Sequence, residues 1–117
     1  MSITQIKGAA AEERAARHLA ERGIIVIGRN FRVRGGEIDL ICRDGAVVVF
    51  VEVRLRRRSD YGGAAASITA TKQAKVILAA RHWLAQHGQY DNSPCRFDCV
   101  LMDDDNIEWL KNAFTAD

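Results

Sequence analysis

The sequence predicts an α/β fold in which a mixed five-stranded sheet is flanked by helices. Two long segments carry apolar residues at the i and i+4 spacing of a helix, and five shorter runs have the valine, isoleucine and leucine content of strands. These segments follow one another as helix, three strands, helix, two strands. The second helix is therefore expected to be the crossover that joins two strands of one sheet.

The size and composition of the chain are those of an ordinary globular protein. Its 117 residues are expected to form one domain, residues 1–117, that buries a core without needing disulfide bonds or a structural metal. Apolar residues make up 48% and charged residues 27%, and no apolar run has the length of a membrane span or a signal peptide. The three cysteines lack zinc-site spacing and are expected to be reduced. These features predict a cytoplasmic protein without membrane contact.

The first helix is predicted over residues 8–22, with Gly23 as its stop signal. Glu12 lies on the same helical stripe as the small and apolar residues that should face the core. Glu13 shares the opposite face with Arg17 and is better placed for solvent. The helix phase therefore directs Glu12, and not Glu13, towards the interior.

The strands are predicted from short apolar runs and from the turn residues between them. A first strand over 24–27 is expected to end in a bend at 28–30, and strands 37–42 and 46–55 form a hairpin around an Asp-Gly turn. A loop follows over 56–66.

The second half of the chain supplies the crossover helix and the last two strands. This helix is expected to begin at Ser67, Thr69 or Thr71 and to end near residue 87. Strands are then predicted from Pro94 to Leu101 and over 107–110, on either side of an Asp-rich turn.

The hairpin carries acidic residues where buried strands favour apolar ones. Asp39 lies within a run of isoleucine and leucine, and Glu52 interrupts a run of valines. An unpartnered buried carboxylate costs several kcal/mol or more, so such residues normally have a charged or metal partner. The two positions are 13 residues apart, and a tight hairpin brings such positions side by side. The pattern predicts a site for a hard divalent cation such as Mg²⁺, which takes carboxylate ligands.

A bound cation of this kind polarises a phosphate and lowers the pKa of its water, so the predicted chemistry is phosphodiester hydrolysis. Arg54, two residues after Glu52, should point to the same side and stabilise charge on the scissile phosphate. Eight arginines fall within residues 29–58, which favours a polyanionic partner over a merely solvated basic face. The predicted nucleic-acid contacts are Arg34, Arg56, Arg57, Arg58 and Lys72.

Several stretches together resemble a known family. They are Gly36-Glu37-Ile38-Asp39-Leu40-Ile41, Phe50-Val51-Glu52-Val53-Arg54, Tyr61-Gly62, Lys72, Arg96-Phe97-Asp98 and Asn112-Ala113-Phe114. The chain resembles the YraN-type family of small uncharacterised bacterial proteins over residues 8–114. Asp39 followed by Glu52-Val53-Arg54 is also similar to the PD-(D/E)xK pattern of the restriction-endonuclease-like superfamily. The YraN-type family in turn resembles archaeal Holliday-junction resolvases.

The resemblance implies a restriction-endonuclease-like core and, as substrate, DNA (duplex or branched) or RNA. It implies that Asp39 and Glu52 hold Mg²⁺ or Mn²⁺, with Glu12 completing the acidic cluster from the first helix. Arg54 departs from the lysine usual at its position, and arginine stays protonated and cannot act as a general base. Lys72 is a second candidate for the missing ammonium group.

Other interpretations stay open at this stage. The protein is either an endonuclease or a non-catalytic nucleic-acid-binding module of a DNA repair or recombination complex, which Arg54 favours. Glu52 could instead pair with Arg54 or Arg56, and Asp39 with Arg34. Asp98 is expected to form an internal salt bridge. The sequence leaves open whether the chain forms a homodimer, which two symmetric cuts across a junction require.

Overall fold

The computed structural model describes residues 3–56 and 68–116. Its elements are α1 (Ile3–Ala20), β1 (Ile25–Val33), β2 (Gly36–Asp44), β3 (Val47–Leu55), α2 (Ala70–Gln86), β4 (Cys95–Met102) and β5 (Ile107–Phe114), with one turn of 3₁₀ helix at Gly88–Tyr90. This order confirms the predicted succession of helix, three strands, helix and two strands.

The strands form one mixed sheet in the order β1-β2-β3-β4-β5. Strands β3 and β4 are parallel, and the other three pairs are antiparallel. Because α2 connects the parallel pair, it is the predicted crossover. The five-stranded mixed sheet and its two helices are compatible with a restriction-endonuclease-like core, which confirms the predicted fold class.

Each helix covers one face of the sheet. On the α2 face, Phe50 packs between Trp83 and Phe97, with ring centroids 5.9 and 5.6 Å away. On the α1 face, Leu19 packs with Leu40 and other aliphatic residues of the central strands. Because β3 is buried on both faces, its sequence is a nearly continuous apolar run rather than an alternating one. Glu52, at 3% exposure, is the exception within that run.

Two predicted boundaries in the first half were wrong. Helix α1 starts at Ile3 rather than at residue 8, and it ends at Ala20, where Gly23 takes a left-handed φ of +85° and the Ile24 amide bonds back to Leu19. The predicted bend at 28–30 is not a strand end, because β1 continues to Val33. The strand is irregular here: its register shifts between Val26 and Gly28, and Asn30 has a left-handed φ of 50°.

The last strand also extends beyond its predicted end at residue 110. It reaches Phe114, whose ring stacks on Phe97 at 5.0 Å. Asn112 has a left-handed φ of 54°, and its backbone amide donates to Asp98 Oδ1 at 2.8 Å. This tertiary bond holds β5 in place beyond the apolar run from which its end was predicted.

Asp98 is fully buried at the centre of a polar network. It accepts hydrogen bonds from Arg96 Nε at 2.8 Å, Trp109 Nε1 at 2.8 Å and the Asn112 amide. Arg96 also reaches Asp44 at 3.0 Å, so it joins β4 to the end of β2. The predicted internal salt bridge of Asp98 is therefore confirmed.

The start of α2 is set by Thr69, one of its three predicted caps. The Thr69 hydroxyl accepts the Lys72 backbone N–H at 3.2 Å. Arg57, Arg58, Ser67 and most of the predicted 56–66 loop lie outside the described residues. In the described part of the chain, neither helix combines the length and the apolar composition needed to cross a bilayer. All three cysteines are free, with Cys42 and Cys99 buried and Cys95 exposed.

Candidate active site

The hairpin of β2 and β3 opens at the two acidic residues. Its ladder runs from the Asp44–Val47 pair to the Leu40–Val51 pair, and the same register would next place Asp39 opposite Glu52. The Val53 amide instead donates to Asp39 Oδ2 at 2.8 Å. The carboxylate therefore takes a backbone donor of the neighbouring strand, and the regular pairing of β2 with β3 stops here.

Asp39 also lies at an irregularity on the β1 side. Arg29 pairs with Leu40 and Phe31 with Ile38, which places Asn30 beside Asp39 between these two pairs. Ile38 packs in the core under α2, whereas Leu40 packs in the core under α1. Residues two apart on a regular strand share a face, so β2 changes face at Asp39. Asp39 thus belongs to neither core and lies where β2 passes from one to the other.

A cavity of about 480 Å³ lies at this opening. We call it the carboxylate cavity. It is lined by Gly8, Ala11 and Glu12 of α1, Glu37 and Asp39 of β2, Glu52, Val53 and Leu55 of β3, and Lys72 of α2. The structure therefore brings together all three predicted metal ligands and the predicted Lys72. Glu37 was not among the predicted site residues, although its position two residues before Asp39 was a signal for it.

Among the acids of the carboxylate cavity, Glu52 has the most strongly raised pKa. Its side chain is only 4% exposed, and Lys72 Nζ lies 3.4 Å from its Oε1. Burial raises the pKa of Glu52 to about 8, with further contributions from the charge of Asp39 and a hydrogen bond with it, while Lys72 opposes the rise. At neutral pH the Glu52 carboxyl group therefore holds a proton when no divalent cation is present.

Glu12 confirms the predicted phase of α1. It is half-buried and lines the carboxylate cavity, whereas Glu13 is exposed and pairs with Arg29 at 2.7 Å. Burial and the charge of Asp39 raise the pKa of Glu12, and Asn30 and Arg32 oppose this. Glu12 and Glu52 are therefore both held back from ionising, chiefly by burial and next by the charge of Asp39.

The donor set fits a hard divalent cation in its chemistry, because it consists of carboxyl groups, and a positive charge between them favours the ionised forms of Glu12 and Glu52. Within residues 3–56 and 68–116, no three His, Cys, Asp or Glu side chains are already arranged as a complete ligand set. Ligation by Glu12, Asp39 and Glu52 together thus needs side-chain rotation within the cavity.

Comparison with known proteins identifies the family. A model described as "Uncharacterised protein family UPF0102" matches residues 11–102, which include every predicted metal ligand. The chain belongs to the UPF0102 family. A UPF0102 protein of Dechloromonas aromatica is 60% identical over 114 residues, covering 97% of this chain and 92% of the relative. One from Methylobacillus flagellatus is 52% identical over 109 residues, covering 91% and 94%. The resemblance to YraN-type proteins is confirmed.

The cations of this UPF0102 protein are not arranged as the sequence suggested. Glu52 pairs with Lys72, and not with Arg54 or Arg56, because the cap at Thr69 places Lys72 in the first turn of α2 beside the end of β3. Arg54 is half-buried opposite Leu101 of β4, and among the described residues it is not one that lines the carboxylate cavity.

The other predicted nucleic-acid contacts lie around this site. Arg34 is exposed in the turn between β1 and β2, and Asp39 accepts from Val53 rather than from Arg34. Arg56 follows the end of β3 and pairs with Glu108 at 2.5 Å. Arg57 and Arg58 are outside the described residues.

The raised pKa of Glu52 makes the stability of the UPF0102 protein depend on pH. The folded state binds the Glu52 proton more tightly than the unfolded state, whose ordinary pKa is 4.5. The resulting stabilisation is complete below pH 4.5 and is lost as the pH rises through about 8. Glu52→Gln removes this titration. We expect the free energy of unfolding of the variant, relative to wild type, to increase between pH 5 and 8.5 by about 1–3 kcal/mol.

Urea unfolding with a chelator present, at both pH values, measures this difference. The matched control is Glu21→Gln, the same substitution at an exposed position of the turn after α1, so pH effects common to both variants can be subtracted. A wild-type and Glu52→Gln difference that is equal at both pH values would show that Glu52 ionises normally in the fold.

Proposed function

We propose that this UPF0102 protein is a metal-dependent endonuclease that hydrolyses phosphodiester bonds in structured or duplex nucleic acid. The observation that carries the proposal is the opening of the hairpin at Asp39 and Glu52, which lie with Glu12 around one solvent-connected cavity. A fold that needed these acids only for stability gains nothing from burying Glu52 beside Asp39, because burial and the charge of Asp39 both disfavour ionisation of Glu52. Their placement is therefore better explained by a ligand.

In this proposal Asp39 and Glu52 hold Mg²⁺ or Mn²⁺, and Glu12 assists from α1. The cation, when bound, polarises the scissile phosphate and lowers the pKa of a coordinated water. Asp39 is positioned by its hydrogen bond from the Val53 amide, which holds the carboxylate at the strand opening. Glu52 releases its proton when the positive charge replaces it. The side chains in these two roles, Asp39 and Glu52, both line the carboxylate cavity.

Lys72 and Arg54 have different tasks. Lys72 is 43% exposed, so its ammonium group can contact a phosphate at the mouth of the cavity while it remains near Glu52. Arg54 contributes positive charge from outside the cavity lining, because an arginine side chain supplies charge rather than a general base. Arg34 and Arg56, together with Arg57 and Arg58, are proposed to contact the phosphate backbone of DNA, branched DNA or RNA.

The second candidate is a nucleic-acid-binding module that has lost the chemistry, within a repair or recombination complex. Arg54 at the position of the usual lysine favours it, and so does the lack of an assembled ligand set among the described residues. This candidate predicts salt-sensitive binding that Mg²⁺ or Mn²⁺ does not change.

A cleavage panel separates the two candidates. Purified wild-type protein is incubated with a labelled four-way junction, a flap, a linear duplex and a structured RNA, each in Mn²⁺, Mg²⁺ and EDTA. We expect cleavage of at least one substrate in Mn²⁺ and none in EDTA. Binding to these substrates with no cleavage in either metal would favour the non-catalytic module instead.

A further inference from the structure

A second cavity of about 430 Å³ adjoins the carboxylate cavity. The two share Ala11 of α1 and Leu55 at the end of β3 as lining residues. Leu55 is three residues beyond Glu52, which in an extended strand is a distance of about 10 Å. We call this second space the flanking cavity. The flanking cavity therefore begins about three strand residues beyond Glu52.

The wall between the two cavities is apolar and exposed. The described residues include three exposed large hydrophobic side chains, Ile25, Leu55 and Leu78, and of these only Leu55 lines either cavity. Leu55 is 52% exposed. Because Leu55 lines both cavities, its exposed side chain offers an apolar surface of the kind that packs against the face of a nucleobase.

Two guanidinium groups flank this wall. Arg14 of α1 donates to the backbone oxygen of Asp103, and Arg56 pairs with Glu108 while remaining 31% exposed. A guanidinium group has five N–H donors, so each of these arginines keeps donors for a phosphate. Arg14 comes from α1 and Arg56 from the end of β3, so two different elements supply cations to this cavity.

Two carboxylates complete the flanking cavity. The Asp103 carboxylate accepts the backbone amides of Asp105 and Asn106 at 2.9 and 2.7 Å, so it is engaged within its own turn. Asp104 is exposed and lines the same cavity. Carboxylates would repel a bare phosphate, but they accept hydrogen bonds from the exocyclic amino groups of cytosine and adenine. Cations, an apolar wall and the exposed acceptor Asp104 together match a whole nucleotide.

We propose that the flanking cavity binds the nucleotide next to the scissile phosphate. Leu55 contacts the base, Arg14 and Arg56 bind its phosphate, and Asp104 accepts from the amino group of the base. The position relative to the cut rests on the proposed function, but binding of a nucleotide in this cavity does not require cleavage. The proposal assigns the site a preference for cytosine or adenine over thymine or uracil at this position.

The test is fluorescence anisotropy with short labelled deoxycytidine and thymidine oligonucleotides in EDTA. We expect wild type to bind the deoxycytidine strand several-fold more tightly, and Leu55→Ser and Arg56→Gln to weaken its binding on the order of ten-fold each. Glu108→Gln frees Arg56 and should strengthen binding, a direction that mere loss of structure would not give. Asp104→Ala should remove the preference between the two strands.

The control is Arg81→Gln, an exposed arginine of α2 that lines neither cavity, and melting curves verify the fold of each variant. Wild-type affinity in Leu55→Ser and Arg56→Gln, or failure of wild type to bind either strand, would overturn the inference. If these variants lose binding while wild type cleaves no substrate in Mn²⁺, the flanking site stands and the proposed endonuclease function fails. Unchanged binding in the variants, together with metal-dependent cleavage by wild type, would mean that the endonuclease function stands and the flanking site fails.

Discussion

Asp39→Asn is expected to reduce Mn²⁺-dependent cleavage by on the order of 10²–10³-fold while nucleic-acid binding is retained or strengthened. An asparagine side chain keeps an oxygen that can accept the Val53 amide, so the opening of the hairpin survives the substitution. It removes the negative charge that a divalent cation needs, and it lowers the repulsion felt by a phosphate backbone. Cleavage rates and anisotropy, measured on the same substrate, separate these two effects.

The control for this prediction is Asp105→Asn, an exposed carboxylate in the turn before β5 that lines neither cavity. It removes the same charge from the protein without touching the site. We expect Asp105→Asn to cleave at the wild-type rate. Equal cleavage by Asp39→Asn and wild type would mean that Asp39 is not a metal ligand.

The second large effect concerns stability. Asp98→Ala is expected to lower the free energy of unfolding by about 3–5 kcal/mol, the cost of breaking a buried ion pair by removing one partner. The substitution leaves Arg96, the Trp109 indole N–H and the Asn112 amide without their shared acceptor. Urea unfolding followed by tryptophan fluorescence measures the loss.

Asp104→Ala is the matched control for Asp98, because it makes the same substitution at an exposed position and should change stability by less than about 0.5 kcal/mol. Asp98→Asn retains an acceptor and should fall between the two. A loss below about 1 kcal/mol in Asp98→Ala would show that the network contributes little to folding.

The parts of the site that could be predicted from sequence are those governed by local pattern. The Asp-Gly turn defines the β2–β3 hairpin, and Asp39 and Glu52 line one cavity where the pairing of its strands stops. The helical phase of α1 places Glu12 towards the interior and Glu13 towards solvent, as the structure confirms. Each of these predictions needed only residues within one element or one turn.

The parts that were missed depend on contacts between distant segments. Lys72 reaches Glu52 across 20 residues of sequence, and the Asn112 amide reaches Asp98 across 14. The continuation of β1 past its expected bend depends on Asn30, which adopts a left-handed conformation beside Asp39. The periodicity of apolar residues does not predict such conformations. It shows which side chains face the core, but not which backbone groups form hydrogen bonds.

The structure also changes which of two cations, Arg54 or Lys72, is expected to lie near Glu52. From the sequence, Arg54 was the neighbour of Glu52 on its own strand, and Lys72 was the more distant candidate. In the structure Lys72 lines the cavity with Glu52, whereas Arg54 lies opposite Leu101. The two-residue spacing of Glu52 and Arg54 therefore predicts that both side chains lie on one face of the sheet. It does not predict which cation contacts Glu52.

Calorimetric titration of Mn²⁺ into wild type, Asp39→Asn and Glu52→Gln is the most direct test of the proposed metal site. We expect saturable binding in wild type that both variants lose. Because Glu52 holds a proton at neutral pH, the wild-type binding enthalpy should also change with the ionisation enthalpy of the buffer as that proton is released. No saturable binding in wild type, or binding of equal strength in all three proteins, would contradict a metal site at Asp39 and Glu52.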